Sequence, residues 1–461
     1  MSQALRNQPC TCGSGKRLKH CCGALVAAPA NDPHRGTREF GARESSGQLP
    51  QLMGRALDLQ RADRLTEAES LYRQALSIDP RNFDALHMLG VTLFQAGRAV
   101  EACRVLIQAW PLLTIEYPSF FKNVGLALAA AAQELGQTIS PPSDDGRLAH
   151  CIFYRRNTLP PLTGQRPKVS IVAPCYNHER YVREAIASVA CQTYKDIELI
   201  IIDDGSQDGS VGAIQTATRS LPFPHKFHYR ENRGAHATLN EGISMASGAL
   251  IGILNTDDRY DPERVDLLVR AMFAARARWA FSNLAYIDEA GQPVRYGESA
   301  RVDALMRGND DLHEYRSIGA AFPSHNVAVS TGNLFFEKSL WHEVGGFQPY
   351  RYNHDWAFCL DAILVSEPAY VDEPIYRYRL HDKNTISESA ELALNEADRI
   401  FGQWHQRLAT SSGPLAEMLR QDSDSQRRLD LATLSQGMGH LIDPGTLLKY
   451  ASDLGFPLPS R

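Results

Sequence analysis

The chain has 461 residues, 43% of them hydrophobic and 22% charged, with a formal net charge of −5. That length predicts two or three domains, each able to bury its own core, and the mild acidity argues against a general nucleic-acid surface. No run reaches the roughly 18–20 apolar residues that span a bilayer, the N-terminus has no apolar signal core, and nine cysteines, several in apolar segments, suit reduced thiols in the cytoplasm.

In chain order, the first feature is Cys10-x-Cys12 followed, after eight residues, by Cys21-Cys22. Gly13-Ser14-Gly15 permits a tight turn between them, and Lys16, Arg17, Lys19 and His20 surround it with positive charge. Four thiolates at this range suit tetrahedral Zn2+, which would supply the folding energy so short a segment lacks. The disulfide alternative requires an exported protein. The spacing, with Pro9 before the first cysteine, resembles the SEC-C motif, which implies a structural zinc site at Cys10, Cys12, Cys21 and Cys22 and a docking role. Residues 26–48 are rich in Ala, Pro, Gly, Asp, Arg and Ser without periodicity and read as a linker. Ala68, Tyr72, Ala75 and Pro80 then answer to Ala102, Leu106, Ala109 and Thr114 at a shift of 34, with Leu89-Gly90 as a close-packing pair. This resembles tetratricopeptide repeats over roughly Gln51–Glu116, with Ser119–Leu135 as a further helix. Such repeats imply a protein partner, or packing against the rest of the chain. An ordinary helical bundle is the plainer alternative.

After a proline-rich connector to residue 167, Val169, Ile171 and Val172 form a strand-type run that stops at Pro174. Val182, Ile186 and Val189 lie at helical spacing, and the apolar run Ile197–Ile202 is closed by Asp203-Asp204-Gly205-Ser206. Strand, helix, strand describes one right-handed parallel unit, whose ligand crevice lies beyond the carboxyl ends of the strands. The glycine signature of dinucleotide sites is missing. A predicted helix over Ala235–Ala246 and a strand over Ala249–Leu254 then lead into Asn255-Thr256-Asp257-Asp258. Adjacent carboxylates at a strand end can hold a hard divalent cation with open positions for phosphate oxygens; helix capping before Pro262 is the alternative use. Val327–Phe336 reads as a strand, Val344-Gly345-Gly346-Phe347 as a turn, and Asp355 opens a helix over Trp356–Leu364. Tyr376-Arg377-Tyr378-Arg379-Leu380-His381 follows, and Glu391–Leu408 is amphipathic. Trp341, Phe347 and Trp356 could stack on a sugar, though core packing is the better expectation.

Together, in this order, these pieces resemble a family 2 glycosyltransferase domain of the GT-A fold from about Lys168 to Ser387. The resemblance implies that Pro174, Tyr176 and Glu179 line the nucleotide pocket, with Asp204 or Asp203 bonding the base. It implies that Asp257 and Asp258 are the metal and ribose carboxylates, that His381 is a further metal ligand, and that Asp355 is the catalytic base. The fold class it predicts is α/β GT-A, Rossmann-like, preceded by an all-α repeat domain and a zinc knuckle. Three departures stand out: Asn255 replaces a leading acidic residue, His354 replaces the acidic partner before the base, and no basic residue precedes Asn240, a gap His236 could fill at the diphosphate.

A departing diphosphate needs Mn2+ or Mg2+ and fixed dipoles, and the acceptor hydroxyl needs a carboxylate to take its proton. The expected enzyme is therefore an inverting glycosyltransferase, for which the resemblance implies a UDP-sugar donor and a glycan, lipid-linked or protein acceptor in cell-surface polysaccharide or glycoconjugate synthesis. On this reading Asp258 weighs more than Asp257 on the metal. The alternative is a degenerate scaffold acting through its repeats and zinc motif. The expected domains are a zinc motif at 1–25, a linker at 26–48, repeats at 49–138, a linker at 139–167, the transferase at 168–390 and a helical extension at 391–461.

Overall fold

A computed structural model describes residues 48–113, 118–136, 153–164, 166–298, 317–381, 390–421 and 441–457, with scattered positions near 303–315 and 425–433. The chain divides into two compact units, one formed by residues 1–140 with 427–461, the other by residues 141–426. The proposed zinc cysteines and the 26–47 linker lie outside the described residues.

The first unit contains α1 (Gln48–Arg61), α2 (Leu65–Ile78), α3 (Phe83–Gln95), α4 (Ala99–Ala109) and α5 (Pro118–Glu134). The small and apolar positions of the 34-residue repeat are its interior: Ala68, Tyr72, Ala75, Ala102, Leu106 and Ala109 are fully buried. Gly90 is small because a Cβ there would lie 2.6 Å from Leu106 Cγ. Tyr72 donates to Gln60 Oε1 at 3.0 Å and Gln60 Nε2 to Gln95 Oε1 at 2.9 Å, tying α1, α2 and α3 through buried polar groups. The C-terminal helix, Pro444–Asp453, belongs here: Ile442, Leu447, Tyr450, Ala451, Leu454 and Phe456 join the same apolar core as α3, α4 and α5. The tail from 391 onward is thus shared between the two units instead of forming one extension.

The second unit is built on a ten-stranded mixed sheet. Its strands are β1 (Phe153–Tyr154), β2 (Val169–Cys175), β3 (Ile197–Asp203), β4 (His225–Tyr229), β5 (Leu250–Ile253), β6 (Arg259–Tyr260), β7 (Trp279–Ile287), β8 (Pro293–Val294), β9 (Phe335–Glu337) and β10 (Ala369–Arg379). The order is β1-β10-β7-β9-β5-β2-β3-β4, with β6 on β10 and β8 on β7. β2 is parallel to β3 and β5, and β9 lies antiparallel between β5 and β7. Helices cover both faces, as a largely parallel sheet requires. Alternate residues of β2, Val169, Ile171, Ala173 and Cys175, pack with Val182, Ile186 and Val189 of α6 (Val182–Ala190). Val172, on the other face, meets α8 (Ala235–Met245) at Gly242. The remaining helices are α7 (Ser210–Thr218), α9 (Arg264–Ala275), α10 (Lys338–Glu343), α11 (His354–Ile363), α12 (Ala390–Thr410) and α13 (Pro414–Gln421). The arrangement is the GT-A fold, with an all-α repeat region before it.

Two expectations change. The segment expected as a strand over 327–336 pairs only from Phe335. Val329 has φ +66°, a region costly for a β-branched residue, and a short 3-10 turn (Thr331–Asn333), capped by Ser330, occupies the interval. The expected linker before 167 contains β1, paired parallel to β10.

Candidate active site

The carboxyl ends of β2 and β3 are laced together by their loops. Asn177 N donates to Ser206 Oγ at 2.8 Å, His178 N to Ser210 Oγ at 2.9 Å, and Asp204 N to Cys175 O at 2.8 Å. Glu179, expected to line the pocket, uses Oε2 to accept from Gly209 N at 3.0 Å and so braces the start of α7. Asp204 is committed as well: its oxygens accept from Arg233 N and Gly234 N at 2.9 Å each, and from the Arg230 guanidinium. This clamp fixes the entry to α8. Asp203 differs, since Oδ1 accepts from Ser206 N at 2.9 Å while Oδ2 is buried without a hydrogen-bond partner. Tyr176, 46% exposed, stands at the end of β2 with its ring available for stacking. Pro174 contributes its carbonyl, which accepts from Thr256 Oγ1 at 2.9 Å.

The turn after β5 brings Asp257, Asp258 and His381 together, as the sequence leads one to expect, and adds His178. His381 Nε2 lies 3.0 Å from Asp257 Oδ2, and His178 Nε2 lies 3.9 Å from the same oxygen. The His178 ring is fixed through Nδ1, 2.8 Å from Thr256 Oγ1, and Tyr181 stacks on His381 at 5.4 Å. Burial alone would raise the Asp257 pKa, but the charges and hydrogen bond of the two imidazoles outweigh it and hold the carboxyl below its usual value. Asp257 Oδ1 is buried and has no hydrogen-bond partner. Asp258 is the reverse case. Its oxygens accept from Tyr376 Oη at 2.6 Å and from Arg379 N at 2.7 Å, and burial together with Asp257 pushes its pKa well up. Asp258 is thus a supporting residue in this geometry, and the carboxylate with spare capacity is Asp257.

Arg379 ties the turn to its surroundings. It donates from Nε to the Asp257 carbonyl at 2.7 Å and from Nη2 to Glu184 at 2.7 Å, and its guanidinium lies 4.8 Å from the Tyr181 ring centroid. The fully buried Arg264 packs against the rings of both Tyr260 and Tyr376, each centroid 4.8 Å from its guanidinium. Gly332 allows the Tyr376 hydroxyl its place, because a Cβ there would be only 1.7 Å from that oxygen.

Asp355 is buried at the start of α11, with Oδ1 accepting from Trp356 N at 2.7 Å. Burial raises its pKa, opposed by His354 and by hydrogen bonds from Trp356 N and Asn326. The link from the Asp257 turn runs through the strained segment at Val329: Asn255 Nδ2 donates to Ser330 Oγ at 3.0 Å, and Thr331 Oγ1 lies 3.0 Å from His354 Nε2. Asn255 and His354, the two departures from the expected acidic pattern, are thus joined through neighbouring residues of one turn. His236 opens α8, its pKa lowered by burial and by His354. Asn240 staples the glycine turn, accepting on Oδ1 from Trp341 Nε1 and Phe347 N at 2.9 Å each. Phe347 stacks on Phe358 at 4.7 Å and Trp356 Nε1 donates to Phe322 O at 2.7 Å, so both are core residues.

Among the described residues no three His, Cys, Asp or Glu side chains make a closed metal cage. A site with one free carboxylate oxygen and a neighbouring imidazole suits instead a cation that completes its shell from phosphate oxygens and water. No helix among the described residues is long and apolar enough to cross a membrane.

The mixed sheet, with β9 set antiparallel between β5 and β7, carries the paired-aspartate turn at the carboxyl end of β5. Residues 170–351 match the model for glycosyl transferase family 2, residues 6–24 the SEC-C motif, and residues 59–112 a tetratricopeptide repeat. Residues 170–351 thus form a family 2 glycosyltransferase domain in a chain that also matches a tetratricopeptide repeat and a SEC-C motif. An uncharacterized glycosyltransferase of Rickettsia typhi is 26% identical over 273 residues, 58% of this chain and 76% of the relative. One from Rickettsia prowazekii is 27% identical over 241 residues, 52% of this chain and 70% of the relative. S. aureus TarS 1–349, solved in complex with UDP-GlcNAc, is 14% identical, covers 63% of this chain and 82% of that chain, and has a TM-score of 0.46, too remote to bear on the ligand.

Proposed function

We propose that this glycosyltransferase is inverting and divalent-metal-dependent, and moves a sugar from a UDP-sugar to the hydroxyl of a glycan, lipid-linked or protein acceptor in cell-surface polysaccharide or glycoconjugate synthesis. The observation that carries the reading is the buried, unpartnered Oδ1 of Asp257 beside two imidazoles. Asp257 and His381 would hold Mn2+ or Mg2+, which when bound offsets the charge developing on the departing diphosphate. Asp258, gripped by Tyr376 and Arg379, keeps that turn in place. Tyr176 offers a face for the base and Asp203 a free acceptor oxygen for it; the UDP class follows from the resemblance to the family. Asp355 takes the acceptor proton, and its raised pKa, caused by burial, moves it toward the neutral range where a general base works best. A single base, with no second carboxylate needed as a nucleophile, gives inversion at the anomeric carbon.

Asp355→Asn tests the assignment. The amide keeps the shape but loses the basic lone pair, so turnover should fall by about 10²–10⁴. Affinity for UDP with manganese, measured by calorimetry, should stay near wild type. Wild-type turnover in this variant would move the base elsewhere.

A further inference from the structure

The family match ends at residue 351, before Asp355 and well before α12. Yet α12 grips the approach to Asp355. Glu396, on α12, accepts on Oε1 from Arg351 N at 2.7 Å, and on Oε2 from Tyr352 N at 2.9 Å and Asn353 N at 3.1 Å. Three successive backbone N–H groups converging on one carboxylate form an anion-binding concavity, here filled by the chain's own side chain. Hydrogen bonds to an ionised acceptor are among the stronger ones. Asn353 precedes α11 and makes no side-chain cap to that helix. Its Nδ2 instead reaches α12, donating to Ala393 O at 2.8 Å and to Glu396 Oε2 at 3.4 Å.

The grip continues on the far side of Asp355. The Trp356 ring meets Phe401 of α12 edge-on at 5.1 Å, Trp404 Nε1 donates to Leu360 O at 2.7 Å, and Arg407 pairs with Asp361 at 2.6 Å. Asp355 therefore stands between a backbone stretch pinned by Glu396 and a ring pinned by Phe401. Only His354 separates Asn353 from Asp355, so a shift of that backbone moves the carboxylate directly.

We infer that Glu396 is a positioning residue for the base: it fixes the backbone of residues 351–353 so that Asp355 keeps its place at the start of α11. The inference rests on the reading of Asp355 as the base. Its consequence is that α12, outside the matched family segment, is part of the machinery of transfer, although it needs no contact with substrate.

The test uses the full-length chain with Glu396→Gln, which keeps the size but turns an N–H donor toward other donors. Hydrogen exchange should accelerate at residues 351–356 and stay unchanged at residues 169–175. With manganese and UDP-GlcNAc or UDP-glucose, whichever the wild type hydrolyses faster, kcat for release of UDP should fall by up to about 100-fold, the cost of a misplacement on the ångström scale. The Kd for UDP should be unchanged. Unchanged exchange at 351–356, or faster exchange with normal kcat, overturns the inference, as does a parallel loss of UDP affinity. If Glu396→Gln fails to fold, Asn353→Ala, which cuts only the Nδ2 contacts, should show the same split at smaller size, and its absence overturns the inference equally. Asp355→Asn run alongside separates the two readings. Normal hydrolysis there removes the base assignment, whereas a dead Asp355→Asn with a fully active Glu396→Gln removes only the role of Glu396.

Discussion

Asp258 spends both carboxylate oxygens on the Tyr376 hydroxyl and the Arg379 amide, whereas Asp257 keeps Oδ1 without a hydrogen-bond partner beside two imidazoles. The expected consequences of mutation therefore reverse the order that the motif alone suggests. Asp257→Ala should abolish the gain in UDP affinity that manganese confers, with a small change in melting temperature. Asp258→Ala leaves two buried donors unsatisfied and should cost about 1–3 kcal/mol of stability or more, while keeping part of the metal effect. Calorimetric titration of UDP with and without manganese, beside thermal unfolding, checks both; a larger metal defect in Asp258→Ala would restore the original order. At this scale the carboxylate pair after β5 was legible as a feature, because adjacent acids at a strand end suit a cation, whereas the roles of single residues came from the resemblance to the family. What surrounds them was not. His178 meets Thr256 across 78 residues, and Arg379 meets Glu184 across 195. No local pattern announces such a pair. Arg379 lay in a noticed motif, but only the folded chain reveals it as the tie between turn and sheet.

Among elements, α3 and α5 enclose a polar pair in an apolar setting. His87 is buried among Phe83 and Phe120, with Nε2 2.8 Å from Asn123 Nδ2. Burial lowers its pKa from 6.5 to about 4. The unfolded chain then binds a proton that the folded one refuses between those values. The stabilisation is complete above pH 6.5 and is lost as pH falls through about 4, by about 3 kcal/mol in all. Exchange protection of residues 83–95 should decline over that window, and the decline should flatten in His87→Gln, which cannot charge; an equally steep decline in the variant would place the acid sensitivity elsewhere. The helices themselves were readable from the 34-residue shift, since small residues recur wherever helices approach closely. The segment 327–336 was not, because its apolar residues imitate a strand while Val329 at φ +66° and the Ser330 cap turn the backbone aside. Periodicity reports which side chains are buried and is silent on a single reversed φ.

Across the whole molecule, chain order and fold order part company. The repeat unit opens the chain and closes it, with the transferase between. An amphipathic tail predicts that a helix buries one face, but not which partner receives it, so the tail's division between two cores was invisible in the sequence. Removing residues 441–461 should expose the core that Leu447, Tyr450 and Phe456 cover. At about 1.5–3 kcal/mol for each large side chain, the loss is on the order of 5 kcal/mol. Exchange at residues 118–134 should rise sharply, with UDP binding by the transferase unaffected; intact protection there would mean that the repeats are complete without the tail. The same feature sets a timetable during synthesis. Residues 48–136 leave the ribosome before the transferase, yet the apolar surface that residues 442–456 add to their core arrives only after residues 141–426 have been translated, a delay on the order of tens of seconds. Through that interval the nascent repeats wait with an open flank, and the transferase can fold before its older neighbour is finished.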